Sequence, residues 1–537
     1  MLPFPEETIF GGIEAVAEGR RHESALVGDG GTWTYGELLE RSRSLAGGLA
    51  TLGIETGDTI AVWLSNSPEW IITQLAASYL DAAVVSVNTR YRTHELEYML
   101  SDADCRVIVT ESSFLDTDYL AMLADVVPSI RNKSPDTFDP EGFALTDVIA
   151  VDDTNGFEAV RHIDSIHAAP TGSRATDPDA PAAVFYTSGT TGDPKGCLQS
   201  SRSLLNHSAN AAAHIGVDSS DTVVGVLPFP GVWGYNTWLG TLARGGTLVC
   251  QRHFDAERTA ELCAAHGATV FPGQAVMYDR MLETGDRAWT ESLDRGVICF
   301  LTMNYDRDTL ERIEKTVDIP LVQPYGLSEG NSQVFVGRPS DPFEERARVG
   351  GPLVSPEIDA KVVDPETGEE RPEGEKGELL LRGYNVMEGY LGKPEATAET
   401  LDEDGWLLTG DLCSIAGEYV EFHARIDDAL RVRGFLVSPR DIETAIDSIP
   451  GVAQSQVVGT PHDRHGTVPV AFVRLDESTT GGSTPVEATL EAELKGTVAD
   501  YKRPEHIEIV DSFPRTEGPH GAKVQKHELE ERAANIL

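Results

Sequence analysis

Residues 182–196 read AAVFYTSGTTGDPKG, and this stretch decides how the rest of the chain is interpreted. A short apolar run, typical of a buried strand, leads directly into a polar loop formed by Thr187, Ser188, Gly189, Thr190, Thr191 and Gly192. Glycines let backbone N–H groups approach an anion closely, and consecutive hydroxyl groups add donors around it. Lys195 adds a positive charge, and Pro194 restricts the turn. The stretch therefore predicts a phosphate-binding loop at the end of a strand.

Two other interpretations of this loop are weaker. The Walker A pattern requires a second glycine five residues after the first, but Pro194 occupies that position after Gly189. A simple glycine–threonine hairpin turn is the other alternative, yet such a turn needs neither a lysine nor this many hydroxyl groups. We therefore expect a phosphate loop of a kind different from the Walker type.

Length and periodicity around the loop predict an α/β fold. A chain of 537 residues exceeds the size of one hydrophobic core and implies at least two domains. A segment with helical spacing, 35–53, is followed by short apolar runs typical of buried parallel strands, at 59–65, 82–87 and 105–110. Residues 126–180 are rich in Asp, Pro, Ser and Thr and predict a long surface excursion. The last part of the chain predicts a separate α+β unit.

The stretch YTSGTTGDPKG resembles the phosphate-loop signature of the acyl-adenylate-forming superfamily, which includes acyl- and aryl-CoA synthetases, luciferases and the adenylation domains of peptide synthetases. The resemblance extends from about residue 25 to about residue 530. It implies a large N-terminal adenylation domain of α/β subdomains, 1–426, and a small mobile α+β domain, 427–537. It also implies ATP and Mg²⁺ at the site, with coenzyme A as a co-substrate.

A second motif, Gly326-Leu327-Ser328-Glu329-Gly330, matches the G-x-S-x-G pattern of serine hydrolases. That interpretation requires a helix directly after Ser328, but the following NSQVFVGRPSD has no helical period. The segment also resembles the superfamily's Tyr-Gly-x-Thr/Ser-Glu motif. By that resemblance Tyr325 stacks on adenine, Ser328 touches the α-phosphate, and Glu329 holds Mg²⁺ together with Thr190. Gln323 and Gly326 belong to the same nucleotide-binding segment.

The C-terminal third supplies the remaining motifs of the resemblance. Asp411, in DGWLLTGDL, matches the residue that binds the ribose, and Arg425 is expected to bond the same sugar. Asp427 matches the hinge residue between the domains, and Gly434 lies on the loop that meets the pantetheine arm of CoA. Lys523, in the tail PRTEGPHGAKVQKHEL, is assigned the role of the adenylation lysine, with Lys526 as the alternative because extra residues precede the motif.

The substrate pocket departs from the superfamily pattern. Pro230 and Gly231 replace a common aromatic gate, and LTMN at 301–304 replaces a Gly-Gly-Ala-Pro segment. The candidate acyl-pocket residues are Trp233, Trp238 and Met303. We expect a carboxylic acid–CoA ligase that releases AMP and pyrophosphate and uses an aliphatic acid. An adenylating enzyme with another acceptor and a non-catalytic AMP- or acyl-AMP-binding protein remain alternatives.

Charge excludes several other classes. The chain has 87 acidic and 43 basic residues, a formal charge of −44, which opposes binding to nucleic acid or to an anionic membrane. So much negative charge on an ordered enzyme, with lysine scarce, predicts a protein from a high-salt cytoplasm. The sequence shows no secretory signal and no apolar run long enough to span a membrane, so we expect a cytoplasmic protein. The sequence leaves open whether it is a monomer or a homodimer. Its six cysteines are scattered and predict neither a zinc site nor a disulfide framework.

Overall fold

The computed structural model describes residues 1–154, 156–170, 172, 174–187, 194–300, 307–426, 430–432, 435–462, 466–476, 487–497, 503–518 and 521–536. The described residues form two compact units. The first lies within Met1–Phe300, Asn304–Ala360 and Leu381–Leu407, and the second within Lys361–Leu380 and Leu408–Leu537. The domain boundary expected at 426/427 falls inside the second unit and stays a prediction.

Helices of the first unit cover the faces of its sheets. They are α1 (Ile9–Val16), α2 (Tyr35–Thr51), α3 (Pro68–Tyr79), α4 (Thr93–Asp102), α5 (Tyr119–Val126), α6 (Ser201–His214), α7 (Val232–Ala243), α8 (Ala256–His266), α9 (Ala275–Glu283), α10 (Arg307–Val317), α11 (Phe343–Arg346) and α12 (Pro394–Thr400). The helix predicted at 35–53 is confirmed as α2. It begins at a capping box in which Thr34 and Glu37 each bond the other's backbone N–H, so the start of the helix is encoded locally.

One sheet of this unit has the strand order β16 (Leu321–Val322), β15 (Arg295–Cys299), β14 (Val270–Gln274), β12 (Thr222–Gly225), β13 (Thr247–Cys250), β1 (Ser24–Gly28) and β2 (Gly31–Thr34). The pairs from β16 to β1 are parallel, and β2 returns antiparallel to β1. This arrangement confirms the predicted α/β class, because parallel strands joined through helices are buried on both faces.

The sheet that carries the phosphate loop has the order β22 (Gly389–Tyr390), β11 (Lys195–Ser200), β10 (Pro181–Thr187), β4 (Ala83–Ser86), β3 (Thr59–Trp63), β5 (Val107–Thr110), β8 (Asp147–Ala150) and β9 (Val160–His162). Strand β10 runs parallel to β4, whereas β10–β11 and β11–β22 are antiparallel pairs. The runs predicted at 59–65, 82–87 and 105–110 are confirmed as β3, β4 and β5.

The prediction of a surface excursion over 126–180 is wrong in part. Strand β8 is fully buried and pairs in parallel with β5, so this segment adds to the sheet. Its three apolar residues are too few to show a period between polar flanks, and only pairing with the neighbouring strand makes this segment a strand.

The second unit contains all or part of the strands of the smaller sheets. Strands β24 (Tyr419–Arg425), β23 (Leu407–Ala416), β21 (Gly377–Gly383) and β20 (Ile358–Val363) are neighbours in that order. A further sheet has the order β26 (Phe435–Val437), β25 (Leu430–Val432), β28 (Gly466–Leu475) and β27 (Val452–His462), with β29 (His506–Ile509) beside β28. Its helices are α13 (Pro439–Asp447), α14 (Glu487–Thr497) and α15 (Lys526–Ile536). This unit confirms the predicted α+β character of the C-terminal part.

The remaining strands are short. Strands β6 (Ser113–Phe114) and β7 (Thr117–Asp118), β17 (Pro324–Tyr325) and β18 (Phe335–Val336), and β30 (Arg515–Gly518) and β31 (Gly521–Val524) form isolated pairs, and β19 is Gly350–Gly351. Among the described helices, none combines the length and apolar character needed to cross a bilayer.

Candidate active site

The predicted phosphate loop connects two antiparallel strands. Strand β10 pairs with β11, with Tyr186 opposite Gly196 and Thr187 opposite Lys195. The strand predicted before the loop is therefore confirmed. The two strands that flank the loop pair with each other as the strands of a hairpin do. The loop also lies at the carboxyl end of β10, the edge at which α/β sheets bind ligands. The loop residues Ser188, Gly189, Thr190, Thr191 and Gly192 lie outside the described part of the chain.

A hydrogen-bonded cluster supports the loop where it rejoins β11. The Tyr98 hydroxyl donates to the carbonyl oxygen of Pro194 over 2.9 Å and accepts from Nζ of Lys393 over 3.0 Å. Nζ of Lys393 also donates to Oδ1 of Asp102 over 3.2 Å, and the Tyr186 hydroxyl donates to Oδ2 over 2.7 Å. The hydrogen bond to Tyr98 and the Asp102 carboxylate raise the pKa of Lys393 above its usual value. Strand β10, helix α4 and the segment after β22 are thereby tied together.

The phosphate-loop lysine and the predicted metal ligand meet at one aromatic ring. Nζ of Lys195 lies 5.1 Å from the centre of the Tyr390 ring, within the range of a cation–π contact. The Tyr390 hydroxyl donates to Oε1 of Glu329 over 2.8 Å. Burial, together with the charge of Glu329, raises the pKa of Tyr390, so the hydroxyl remains a donor at neutral pH. The pairing of Cys197 with Tyr390 across β11 and β22 brings the two motifs together.

The segment around Ser328 is not a nucleophile elbow. Ser328–Gly330 form a single 3₁₀ turn, and Asn331 directly after it is left-handed with φ of 64°, so no α-helix follows the serine. A side chain at Gly326 would place its Cβ 2.5 Å from the backbone nitrogen of Gln333, which explains the glycine without any catalytic role. The G-x-S-x-G match therefore arises from the packing of this turn.

Two predicted nucleotide residues beside this turn are buried. The Tyr325 ring packs against Phe335, with ring centres 6.0 Å apart. The Gln323 side chain donates to the Ala347 carbonyl over 2.7 Å. Their roles toward adenine remain predictions.

In the second unit the two predicted ribose residues are partners. Asp411 and Arg425 lie opposite each other across β23 and β24, and Nη1 of Arg425 lies 2.9 Å from Oδ1 of Asp411. The Asp411 side chain is 5% exposed, and its backbone N–H is bonded to Oγ1 of Thr409. Gly410 takes φ of 65°, and a Cβ there would lie 3.0 Å from Nη2 of Arg425. Arg425 thus orients a nearly buried carboxylate.

The remaining predicted residues divide by whether the structure describes them. Asp427, Gly434 and Met303 lie outside the described residues. Lys523 is in β31, opposite Thr516 of β30. Trp238 is fully buried and its ring contacts Trp70 and Tyr235, whereas Trp233 is partly buried and packs against the hydrophobic core of the first unit.

Sequence analysis missed Tyr98, Asp102, Tyr390 and Lys393. The last two belong to the stretch RGYNVMEGYLGKPEAT, 382–397, whose resemblance to the superfamily was a usable signal. Tyr98 and Asp102 on α4 offer only an i, i+4 pair of polar residues, which many surface helices show.

Comparison with known proteins gives a consistent assignment. The family model "AMP-binding enzyme" matches residues 13–391, and "AMP-binding enzyme C-terminal domain" matches residues 441–518. The mitochondrial medium-chain acyl-CoA ligase ACSF2 of Danio rerio is 29% identical, covering 100% of this chain and 90% of the relative. The 3-[(3aS,4S,7aS)-7a-methyl-1,5-dioxo-octahydro-1H-inden-4-yl]propanoyl:CoA ligase of Rhodococcus jostii is 31% identical, covering 95% of this chain and 96% of the relative. Among solved structures, ATP-bound MatB from Rhodopseudomonas palustris superimposes with a TM-score of 0.80 at 27% identity, covering 99% of both chains.

Proposed function

The chain belongs to the AMP-binding enzyme family, and on that basis we propose that it is an AMP-forming acyl-CoA synthetase. It joins a carboxylic acid to coenzyme A at the expense of ATP. The observation that carries the proposal is the meeting of Lys195 and Glu329 at the Tyr390 ring. A phosphate-loop cation and a carboxylate that contact the same tyrosine, next to the loop at the carboxyl end of β10, suit a metal–triphosphate substrate.

The first half-reaction needs positioning more than proton transfer. An oxygen of the substrate carboxylate attacks the α-phosphorus of ATP, the new O–P bond forms, and the bond to the β-phosphate oxygen breaks to release pyrophosphate. The nucleophile is already an anion, so no general base is required. The residues that contribute are those that hold the phosphates and neutralise charge on them, among which we place Lys195, Ser328 and Lys523.

The second half-reaction forms the thioester. The CoA thiol loses its proton and attacks the acyl carbon of the acyl-adenylate, and the C–O bond to AMP breaks. AMP is the leaving group, and Asp411 and Arg425 hold its ribose while the bond breaks. The hinge role of Asp427 and the pantetheine contact of Gly434 belong to the same proposal, although neither residue is described by the structure.

Magnesium fits this site through Glu329. Its carboxylate supplies the hard oxygen that Mg²⁺ prefers, and Tyr390 orients that carboxylate. The described residues contain no cluster of three or more metal-ligating side chains, which agrees with Mg²⁺ held by one or two protein oxygens plus substrate phosphates. When bound there, Mg²⁺ supplies charge neutralisation on the phosphate oxygens.

The acid is proposed to be aliphatic. One relative is named for medium-chain acyl groups and another for a substituted propanoyl group. The test is pyrophosphate release with ATP, Mg²⁺ and matched panels of aliphatic and aryl acids, with and without CoA. Sustained release that requires both an aliphatic acid and CoA is the expected result. Release indifferent to CoA would indicate another acceptor, and no release with any acid would favour a non-catalytic nucleotide-binding protein.

One variant separates the two half-reactions. Lys523→Ala is expected to abolish adenylation while leaving thioester formation from supplied acyl-AMP intact. Lys526→Ala is the matched control, since this lysine lies only three residues further along at the start of α15. If Lys526→Ala abolishes adenylation and Lys523→Ala does not, the adenylation lysine is Lys526.

The formal charge of −44 leads us to propose that the protein is adapted to concentrated salt. At 1 M salt the Debye length falls to ~3 Å, so repulsion between surface carboxylates is screened. We expect the melting temperature and the activity to rise between dilute buffer and about 2 M KCl. Sucrose, which carries no charge, is the control solute. Equal stability in dilute buffer and in KCl would remove this part of the proposal.

A further inference from the structure

Five consecutive backbone carbonyl oxygens in the segment that carries Ser328 and Glu329 are each held by a different donor. The Ser328 carbonyl accepts from Nε2 of Gln199 (3.0 Å), and the Glu329 carbonyl accepts from the backbone N–H of Met387 (2.8 Å). The Gly330 carbonyl accepts from Nδ2 of Asn385 (2.9 Å), and the Asn331 carbonyl accepts from Nδ2 of Asn236 (2.5 Å). The Ser332 carbonyl accepts from Nε2 of His207 (2.6 Å). We call these four side chains and the Met387 N–H the carbonyl clamp. They come from β11, α6, α7 and the segment before β22, so the clamp draws on four separate pieces of the chain.

The clamped backbone would not hold its conformation alone. Asn331, Ser332 and Gln333 take φ values of 64°, 53° and 40°, three successive left-handed residues, none of which is glycine. Residues with a Cβ adopt this region rarely and singly, because the Cβ crowds the following carbonyl. Such a run persists only where its surroundings impose it. The clamp supplies that surrounding, because its hydrogen bonds fix the direction of every carbonyl from Ser328 to Ser332.

The clamp side chains are themselves fixed. Gln199, His207 and Asn385 are 0% exposed and Asn236 is 2% exposed, so water does not compete for their donors. The Ser203 hydroxyl donates to Oε1 of Gln199 over 2.8 Å, which sets the amide so that its nitrogen faces Ser328.

His207 carries its proton on the nitrogen that faces the backbone. A carbonyl oxygen only accepts, so Nε2 of His207 must donate to Ser332. Burial lowers the pKa of His207 to about 4, and the neutral ring keeps this single donor at physiological pH. The contact is therefore the same at all pH values well above 4.

From this geometry we propose that Gln199, His207, Asn236 and Asn385 are positioning residues for adenylation. By fixing the backbone that bears Ser328 and Glu329, they aim the hydroxyl at the α-phosphate and the carboxylate at the metal. The inference rests on the proposed function, and it adds an energetic role for buried side chains that touch neither ATP nor metal. Glu329 is held twice, through its side chain by Tyr390 and through its backbone by Met387.

The test compares His207→Phe, which removes the donor, with His207→Gln, whose Nε2 keeps one. Because a small misplacement of reacting groups costs up to about a hundredfold, we expect His207→Phe to lower adenylation roughly 10- to 100-fold and to raise the half-saturating Mg²⁺ concentration. Thioester formation from supplied acyl-AMP, which needs no Mg²⁺, should fall far less. His207→Gln should restore most of the adenylation rate. Equal losses in both half-reactions at an unchanged Mg²⁺ requirement would overturn the proposal.

His214→Phe is the matched control. It lies two turns further along α6 and its Nε2 bonds the carbonyl of Val336 at 2.9 Å, outside the clamped run. Its Mg²⁺ requirement should stay that of the unmodified protein. If His207→Phe does not fold, Gln199→Met, which keeps the side-chain volume and removes the donor to Ser328, replaces it. An unchanged Mg²⁺ requirement in Gln199→Met would then count against the clamp.

A binding measurement separates failure of this inference from failure of the proposed function. Calorimetry with Mg·ATP and with metal-free AMP needs no acid and no turnover. We expect His207→Phe to weaken Mg·ATP binding more than AMP binding, even if no acid supports catalysis. Unchanged Mg·ATP affinity in the variant would overturn the clamp, whereas absence of pyrophosphate release by the unmodified protein would overturn only the proposed function.

Discussion

The hydroxyl of Tyr390 lies 2.8 Å from Oε1 of Glu329, and its ring is the surface above which Lys195 is placed. Tyr390 thus links the phosphate loop to the carboxylate of Glu329, which lies 61 residues before the tyrosine in the chain. Tyr390 therefore makes two separate contacts: its hydroxyl bonds Glu329, and its ring contacts Lys195.

Tyr390→Phe tests the hydroxyl alone. A hydrogen bond to a charged acceptor contributes about 1.5–3 kcal/mol, so we expect roughly a tenfold rise in the half-saturating Mg²⁺ concentration for pyrophosphate release. Tyr390→Leu, which also removes the ring, should in addition raise the KM for ATP. Tyr278→Phe is the control, because the Tyr278 hydroxyl bonds the Phe271 carbonyl in the core. A Mg²⁺ requirement unaffected by Tyr390→Phe would exclude the role of the hydroxyl.

Lys393→Met tests the cluster that supports the phosphate loop. Without the ammonium group, Tyr98 and Asp102 lose their shared partner and the loop exit at Pro194 is less firmly held. Because a net hydrogen bond contributes about 0.5–1.5 kcal/mol, we expect a threefold to tenfold rise in the KM for ATP. Steady-state kinetics measure it.

Lys315→Met is the matched variant for that experiment. Lys315 pairs with Glu311 at i, i+4 on the exposed face of α10, and such surface pairs contribute ~0–1 kcal/mol. Its KM for ATP should equal that of the unmodified enzyme. A similar KM in Lys393→Met and Lys315→Met would show that the cluster does not support the loop.

Asp411→Asn tests the ribose assignment through substrate choice. If the carboxylate accepts hydrogen bonds from the ribose hydroxyls, the unmodified enzyme should prefer ATP over 2′-deoxy-ATP. In the variant this preference should fall about tenfold, because a charge-assisted hydrogen bond is removed. The ratio of kcat/KM for the two nucleotides is the measurement. Asp364→Asn, which breaks an aspartate–arginine pair with Arg371 in the same unit, is the control. Unaltered discrimination in Asp411→Asn would reject the assignment.

Asp81→Asn gives a pH-dependent gain in stability. Burial, and secondly the charge of Asp177, raise the pKa of Asp81 from 3.8 to about 6 in the folded state. The folded protein therefore binds this proton more tightly than the unfolded chain. The stabilisation that the protonated Asp81 carboxyl gives the folded state below pH 4 is lost as the pH rises through about 6. The backbone φ of 53° at Asp81 also suits asparagine.

We expect Asp81→Asn to be more stable than the unmodified protein above pH 6, by at most about 1 kcal/mol because the carboxyl is partly screened by solvent. The gain should vanish below pH 4. Melting curves from pH 4 to pH 8 measure it, and Asp177→Asn should show a smaller gain over the same window. A difference that does not change with pH would refute the electrostatic cause.

The sequence was most informative where the signal is local. The helix at Tyr35–Thr51 and the strand at Pro181–Thr187 could be predicted because a capping box and an apolar run act over a few neighbouring residues. The phosphate loop, the Tyr325–Glu329 motif and Asp411 were recognised for the same reason. Strand Asp147–Ala150 was missed, because its assignment depends on pairing with Val107–Thr110 rather than on its own pattern.

The sequence by itself determined the family and the α/β class and predicted the residues that face the nucleotide, since these depend on short motifs whose chemistry is carried by their own side chains. Only the tertiary structure decided which other residues hold them. The contact of Tyr390 with Glu329 follows from the register of β22 on β11, and the carbonyl clamp binds backbone acceptors that every residue possesses. Every residue has a backbone carbonyl, so the sequence does not indicate which carbonyl a distant side chain will bond. Those partners can be identified only from the packing of distant segments in the tertiary structure.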